Sequence, residues 1–205
     1  MSPRSKFILI FLMFSVPFVG STLVFIFWKP TATNNYGELL SPVTTLPETK
    51  LNFINMGEAD KDVAGHALRG KWLMLTRDSG HCEVACRKKL YAMRQARLIL
   101  GRELDRVLRV VLVDDGVMPS DELQKEFAGT VWISANEAPW LVLLPKSKSE
   151  SVNSSVSASG KANHGRDQIF GVDTIGNIFI RYSADPDIKR MSGDFQRVLK
   201  ASQIG

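Results

Sequence analysis

Apolar side chains run without a charge from Phe7 to Trp28, and no later run approaches this length. At ~1.5 Å per residue, a helix over this stretch crosses the ~30 Å hydrocarbon core of a bilayer. Pro17 near its middle is tolerated in such a helix, and Trp28 falls where an interfacial aromatic belongs. Beyond it the apolar positions come in shorter groups. Leu51–Ile54 predicts a short strand, Ala67–Gly70 a turn, and Trp72–Thr76 a strand. A long helix is predicted from about Glu83 to Val107, with Cys86, Leu90, Met93, Leu100, Leu104 and Leu108 spaced along one face; Arg97 interrupts that face and Gly101 weakens the second half. Arg109–Val113 is a β-branched strand stopped by Asp114-Asp115-Gly116, and Ser120 caps a helix over roughly Asp121–Phe127. Trp140–Leu144, ended by Pro145, predicts another strand. Ile169–Val172 and Ile178–Tyr182 flank the turn Asp173–Asn177 as a hairpin, and a closing helix from about Pro186 to Ala201 buries Ile188, Met191, Phe195, Val198 and Leu199.

The order is β, α, β, α, β, loop, β-hairpin, α. Continuous apolar runs imply strands buried on both faces, hence an α/β layer fold. The chain divides into residues 1–6, a transmembrane helix over 7–28, a linker over 29–46 rich in Thr, Asn, Pro and Ser, and one domain over 47–205. Within that domain, residues 147–165 are mostly Ser, Asn, Lys and Gly and predict a mobile loop. A cleaved signal peptide is the rival to the anchor. Its small-residue site near Gly20 and Ser21 would lie inside the apolar run, which exceeds the ~7–15 residues of a signal core, so an uncleaved anchor is the better reading. Arg4 and Lys6 outnumber Lys29, which keeps the N-terminus cytoplasmic and exports the domain to the periplasmic side of an inner or plasma membrane.

Charge adds little once the anchor is set aside. Arg4, Lys6 and Lys29 are three of the 26 basic residues, leaving 23 against 21 acidic ones, so the pI of about 9.3 gives no warrant for nucleic acid.

The candidate chemistry is the only cysteine pair, Cys82 and Cys86, spaced C-x-x-x-C between a strand and a helix. A helix N-terminus carries about half a positive charge and unpaired N–H groups, both favouring thiolate, and Arg87, Lys88 and Lys89 add to the field while Glu83 opposes it. Residues i and i+4 of a regular helix have Cβ atoms ~5–6 Å apart, whereas a disulfide needs ~3.5–4.5 Å. A bridge therefore requires Cys82 to lie outside the helix, and Gly80 gives the loop that freedom. Two thiolates suit Cu(I), completed by one imidazole, better than Zn(II) with its four ligands. His81 adjoins Cys82 and tunes it; His66 reads as an exposed side chain; His164 ends the low-complexity loop and is the candidate third ligand. A purely structural staple is the bland alternative, although a five-residue loop gives a disulfide little entropy to remove.

The single anchor, Leu68-x-Gly70-Lys71-Trp72 before an apolar strand, and C-x-x-x-C at a helix start together resemble the Sco/SenC family of thioredoxin-fold proteins over roughly residues 47–205. The match departs from the family's C-P-x-x-C-P, with Glu83 and Arg87 in place of the prolines. The resemblance implies a thioredoxin-like three-layer domain and a histidine ligand that aligns within one residue of His164. It also implies a role in building the binuclear copper centre of cytochrome c oxidase, with subunit II or another copper or thiol protein as partner. Three functions follow for test: a Cu(I) chaperone using Cys82, Cys86 and His164; a metal-free thiol–disulfide oxidoreductase in which an exposed thiol attacks; and a non-catalytic binding module that docks through the basic helix surface.

Overall fold

A computed structural model describes residues 3–27, 34–47, 51–54, 68–135, 140–145 and 166–202. The chain forms two compact units, Met1–Asn34 and Asn35–Gly205. The first is one helix, α1 (Pro3–Phe27), 25 residues long and apolar enough to cross a membrane.

The second unit is built on a seven-stranded sheet. Its strands are β1 (Glu38–Thr45), β2 (Asn52–Phe53), β3 (Trp72–Asp78), β4 (Val107–Val113), β5 (Thr130–Ser134), β6 (Gln168–Val172) and β7 (Asn177–Ser183). The spatial order is β1-β7-β6-β3-β4-β5-β2. β3, β4 and β5 run parallel, while β6, β7, β1 and β2 pair antiparallel with their neighbours. Among the described residues its helices are α2 (Val84–Ile99), α3 (Asp121–Glu126), α4 (Trp140–Leu143) and α5 (Ile188–Ala201), with a 3₁₀ turn over Gly101–Arg106.

Alternation along the strands splits the core in two. Trp72, Met74, Val107, Val111, Trp132 and Ile180 face the helices, packing against Leu90 and Met93 of α2, Leu123 of α3, and Met191, Phe195 and Leu199 of α5. Leu73, Leu75, Val110, Leu112, Ile133 and Phe170 face the other way, covered by Trp140 and Leu144 around α4 and by Leu46, Leu51 and Leu68. This is the α/β layer arrangement expected from the continuous apolar runs.

Three expectations are corrected. Part of the stretch read as linker, Glu38–Thr45, is the edge strand β1, paired with β7. Its mostly exposed side chains show no alternation and disguise it, because an edge strand needs only its backbone to pair. Trp140–Leu144 is a helical turn rather than a strand; the third parallel strand is β5, whose Thr130, Val131 and Ile133 are β-branched and which begins just after Gly129 at φ 77°. An apolar run reports burial, not conformation, so Trp140 and Leu144 are buried as predicted without joining the sheet. The long helix stops at Ile99, and Leu108 belongs to β4. Gly101 at φ 60° turns the chain out of the helix, as glycine readily does.

Candidate active site

β3 ends at Asp78 in mid-sheet, and Ser79–Glu83 must carry the chain into α2. Ser79 N–H donates to Asp78 Oδ1 (2.9 Å), His81 N–H to Ser79 Oγ (3.1 Å) and Cys82 N–H to the Ser79 carbonyl (3.1 Å). Asp115, in the loop after β4, accepts the N–H groups of Gly80 and Val117 at 3.1 Å each, so one carboxylate ties two loops together. Burial alone would raise the Asp115 pKa; hydrogen bonds from the Ser79 side chain and from the Gly80 and Val117 N–H groups outweigh it and hold the carboxyl below its ordinary value.

Gly80 is not the hinge that the sequence suggested. A Cβ there would stand 1.9 Å from the Val117 carbonyl oxygen, so glycine is needed for close approach. The unusual backbone belongs to Cys82, at φ 45° the one non-glycine residue in the left-handed region among those described. That turn lifts Cys82 out of the helix, as a bridge requires. Cys82 and Cys86 form a disulfide with Cα atoms 5.0 Å apart, inside the ~4.4–6.8 Å such bonds span. Cys86 lies in the first turn of α2, where unpaired N–H groups and the helix dipole would meet a thiolate on reduction.

Both cysteines are buried, at 1% and 2% exposure. The exposed attacking thiol expected of an oxidoreductase is therefore not exposed in the disulfide state. His81 is exposed beside them. His66 and His164 lie outside the described residues, and with them the proposed third metal ligand. Among the described residues no group of three or more His, Cys, Asp or Glu side chains is arranged to hold a metal ion.

Sequence reasoning missed the charged layer under this loop. Lys89, one turn beyond Cys86 on the same buried face of α2, is 1% exposed. Its Nζ pairs with Asp78 Oδ2 at 2.6 Å and donates to the carbonyls of Arg77 (3.1 Å) and Arg166. Desolvation lowers its pKa despite Asp78. Alongside, Asp114 accepts from Arg77 Nε and from Arg166 Nε, the latter at 2.9 Å. The Asp114 hydrogen bond raises the Arg166 pKa. Three carboxylates, Asp78, Asp114 and Asp115, thus face three cations, Arg77, Lys89 and Arg166. The available signal was Lys89 itself, which falls on the periodic apolar face of α2 where a solvated lysine does not belong.

A cysteine pair bridging the strand–helix junction of a mixed sheet, with helices stacked on one face, defines a thioredoxin-like protein. The family described as transmembrane-like, thioredoxin-like, C-terminal domain matches residues 72–202, and the chain belongs to it. The structural neighbours include Sco1/SenC proteins. Apo Sco1 from Thermus thermophilus is 17% identical, aligns over 84% of this chain and 99% of its own, and has a TM-score of 0.50. A SCO1/SenC family lipoprotein from Bacillus anthracis str. Ames is 16% identical over 77% of this chain and 98% of its own, with a TM-score of 0.52. At these identities the likeness is one of fold. No curated protein matches the sequence.

Proposed function

We propose that this is a membrane-anchored thiol–disulfide protein that prepares a copper-site acceptor on the exported side of the membrane. The observation that carries the proposal is the Cys82–Cys86 disulfide at the strand–helix junction of a thioredoxin-like sheet. In the dithiol state one thiolate attacks an acceptor disulfide, forming a mixed disulfide and releasing one acceptor thiolate. The second cysteine then attacks its partner sulfur, leaving the acceptor as a dithiol and this protein as the disulfide. Two electrons pass to the acceptor, and the buried sulfurs require the docked partner to open the Ser79–Glu83 loop. The Sco/SenC resemblance makes subunit II of cytochrome c oxidase the acceptor of choice, with the N-terminus cytoplasmic. Incubating the reduced full chain in detergent with a subunit II disulfide tests this. Acceptor thiols should appear one pair per chain; the same yield from a Cys82→Ser/Cys86→Ser variant would sink the idea.

Delivery of Cu(I) is the second reading, favoured by two soft sulfur donors held 5.0 Å apart at Cα. Cys82 and Cys86 would ligate the ion as cargo, with His164 as third ligand. Anaerobic titration should give one tight Cu(I) per reduced chain, weakened by His164→Ala. The redox reading predicts that His164→Ala leaves thiol exchange intact, so this one variant, assayed for Cu(I) binding and for thiol exchange, separates the functions.

A further inference from the structure

Arg109 sits in β4 where alternation sends its side chain to the helix side with Val107 and Val111, and it is 4% exposed. Its Nη2 donates to the Ala128 carbonyl at 2.6 Å. Its Nε and Nη1 are buried without a hydrogen-bond partner among the described residues. Burial first, then the charges of Arg97 and Arg94 on α2, push its pKa down to about 10, which still leaves it cationic at neutral pH. The carboxylates nearby are engaged elsewhere: Glu126 pairs with Arg87, and Asp105, 88% exposed, stands 3.6 Å from Arg97. Among the described residues the charges that act on Arg109 are the like charges of Arg97 and Arg94, so the desolvation penalty of its buried guanidinium is left uncompensated.

We propose that Arg94, Arg97 and Arg109 form a binding site for a phosphate-type oxyanion. The three guanidinium groups are gathered by neighbouring carbonyls, Arg94 at Glu126, Arg97 at Val107 and Arg109 at Ala128, and so many charge-assisted donors suit a tetrahedral, multiply charged anion better than a carboxylate. Arg97 is already oriented by donating from Nε to the Val107 carbonyl at 2.6 Å. Arg94 is exposed and held only weakly, its Nη1 donating to the Glu126 carbonyl at 3.3 Å, so it is the side chain that gives way as the anion enters. The site is separate from the disulfide. Val113 of β4 lies beside Asp78, where the cysteine loop begins, and Arg109 is four residues back along the strand, roughly 13 Å. The anion is free phosphate or the phosphate of a phospholipid headgroup.

The test is thermal unfolding of the full chain in neutral detergent, with millimolar inorganic phosphate against sodium chloride at matched ionic strength, a range in which general exclusion effects are small. Phosphate should raise the midpoint by roughly 5 °C near saturation. Arg109→Met should remove the rise without lowering the starting midpoint, because it deletes an uncompensated charge. Arg94→Gln/Arg97→Gln leaves the buried packing in place and should weaken phosphate binding about tenfold or more, so the proposal stays testable if Arg109→Met does not fold. No rise in the wild type, or the same rise in the double variant, overturns the site. Repeating the titration in phosphatidylcholine nanodiscs with and without phosphatidic acid identifies the source. A response blunted by the anionic lipid assigns the headgroup, and an unchanged response assigns free phosphate.

Discussion

Two glycines show how one substitution takes opposite signs. At Gly80 a methyl group would meet the Val117 carbonyl at 1.9 Å, a backbone atom that cannot turn aside. Gly80→Ala should cost about 1–3 kcal/mol and displace the loop that positions Cys82. At Gly193, inside α5, a methyl group meets nothing within 4 Å. Gly193→Ala should stabilise by about 0.5–1 kcal/mol through helix propensity. Chemical denaturation of the two variants checks both signs, and a neutral Gly80→Ala would show that the loop yields freely. Asp115 gives a pH dependence at the same loop. Its folded pKa is below the unfolded value of 3.8, so the unfolded state binds more protons as the solution is acidified through that window. The stabilisation is present above pH ~4 and is lost as pH falls through the lower folded value. Asp115→Asn should flatten this acid limb of the stability curve, and an unchanged limb would remove Asp115 as its source.

At the scale of elements, β1 is held by more than its ladder. Asp194 of α5 is buried and accepts the N–H groups of Tyr36 (3.0 Å) and Gly37 (2.9 Å) and the Tyr182 hydroxyl (3.3 Å) just where the chain enters the sheet. Asp194→Ala strands these donors and should cost about 2–4 kcal/mol. Hydrogen exchange should accelerate first over residues 36–45; uniform acceleration across the sheet would show instead that Asp194 serves the whole domain. This tie also explains what was unreadable in the sequence. Strands β3, β4, β6 and β7 and helices α2, α3 and α5 were legible because burial writes itself into periodicity and into caps such as Ser120, whose Oγ accepts the Leu123 N–H. β1 was not, because it depends on a carboxylate far along the chain. β5 was overlooked because Trp140–Leu144 offered a longer apolar run, and only the sheet decides which buried segment pairs. The bridge between the cysteines was allowed by their place between a strand and a helix, whereas their ionic support, Lys89 with Asp78 and Asp114 with Arg77 and Arg166, comes from elements that tertiary packing brings together.

At the scale of the whole molecule, disulfide and fold are coupled through one thermodynamic cycle. Closing the five-residue loop from Cys82 to Cys86 restricts the unfolded chain by roughly 2 kcal/mol on loop-entropy grounds. By reciprocity, folding makes the disulfide harder to reduce by the same amount, about 30-fold in equilibrium constant or ~45 mV. The start of α2 works the other way, since its dipole favours the dithiolate by ~0.3–1 kcal/mol only in the folded state. Loop closure wins, leaving a net coupling of about 1–2 kcal/mol. The two contributions separate by pH. Where both thiols stay protonated the dipole has nothing to stabilise, so the full loop term should appear in acid and shrink as pH rises. Equilibrating the full chain with glutathione, folded and in urea, measures the coupling directly. A ratio that stays flat with pH would mean that the helix start does not act on the thiolates, and a ratio below one would mean that the folded loop opposes the disulfide it holds. A small coupling of this kind suits a pair that must open and close repeatedly without unfolding the domain that carries it.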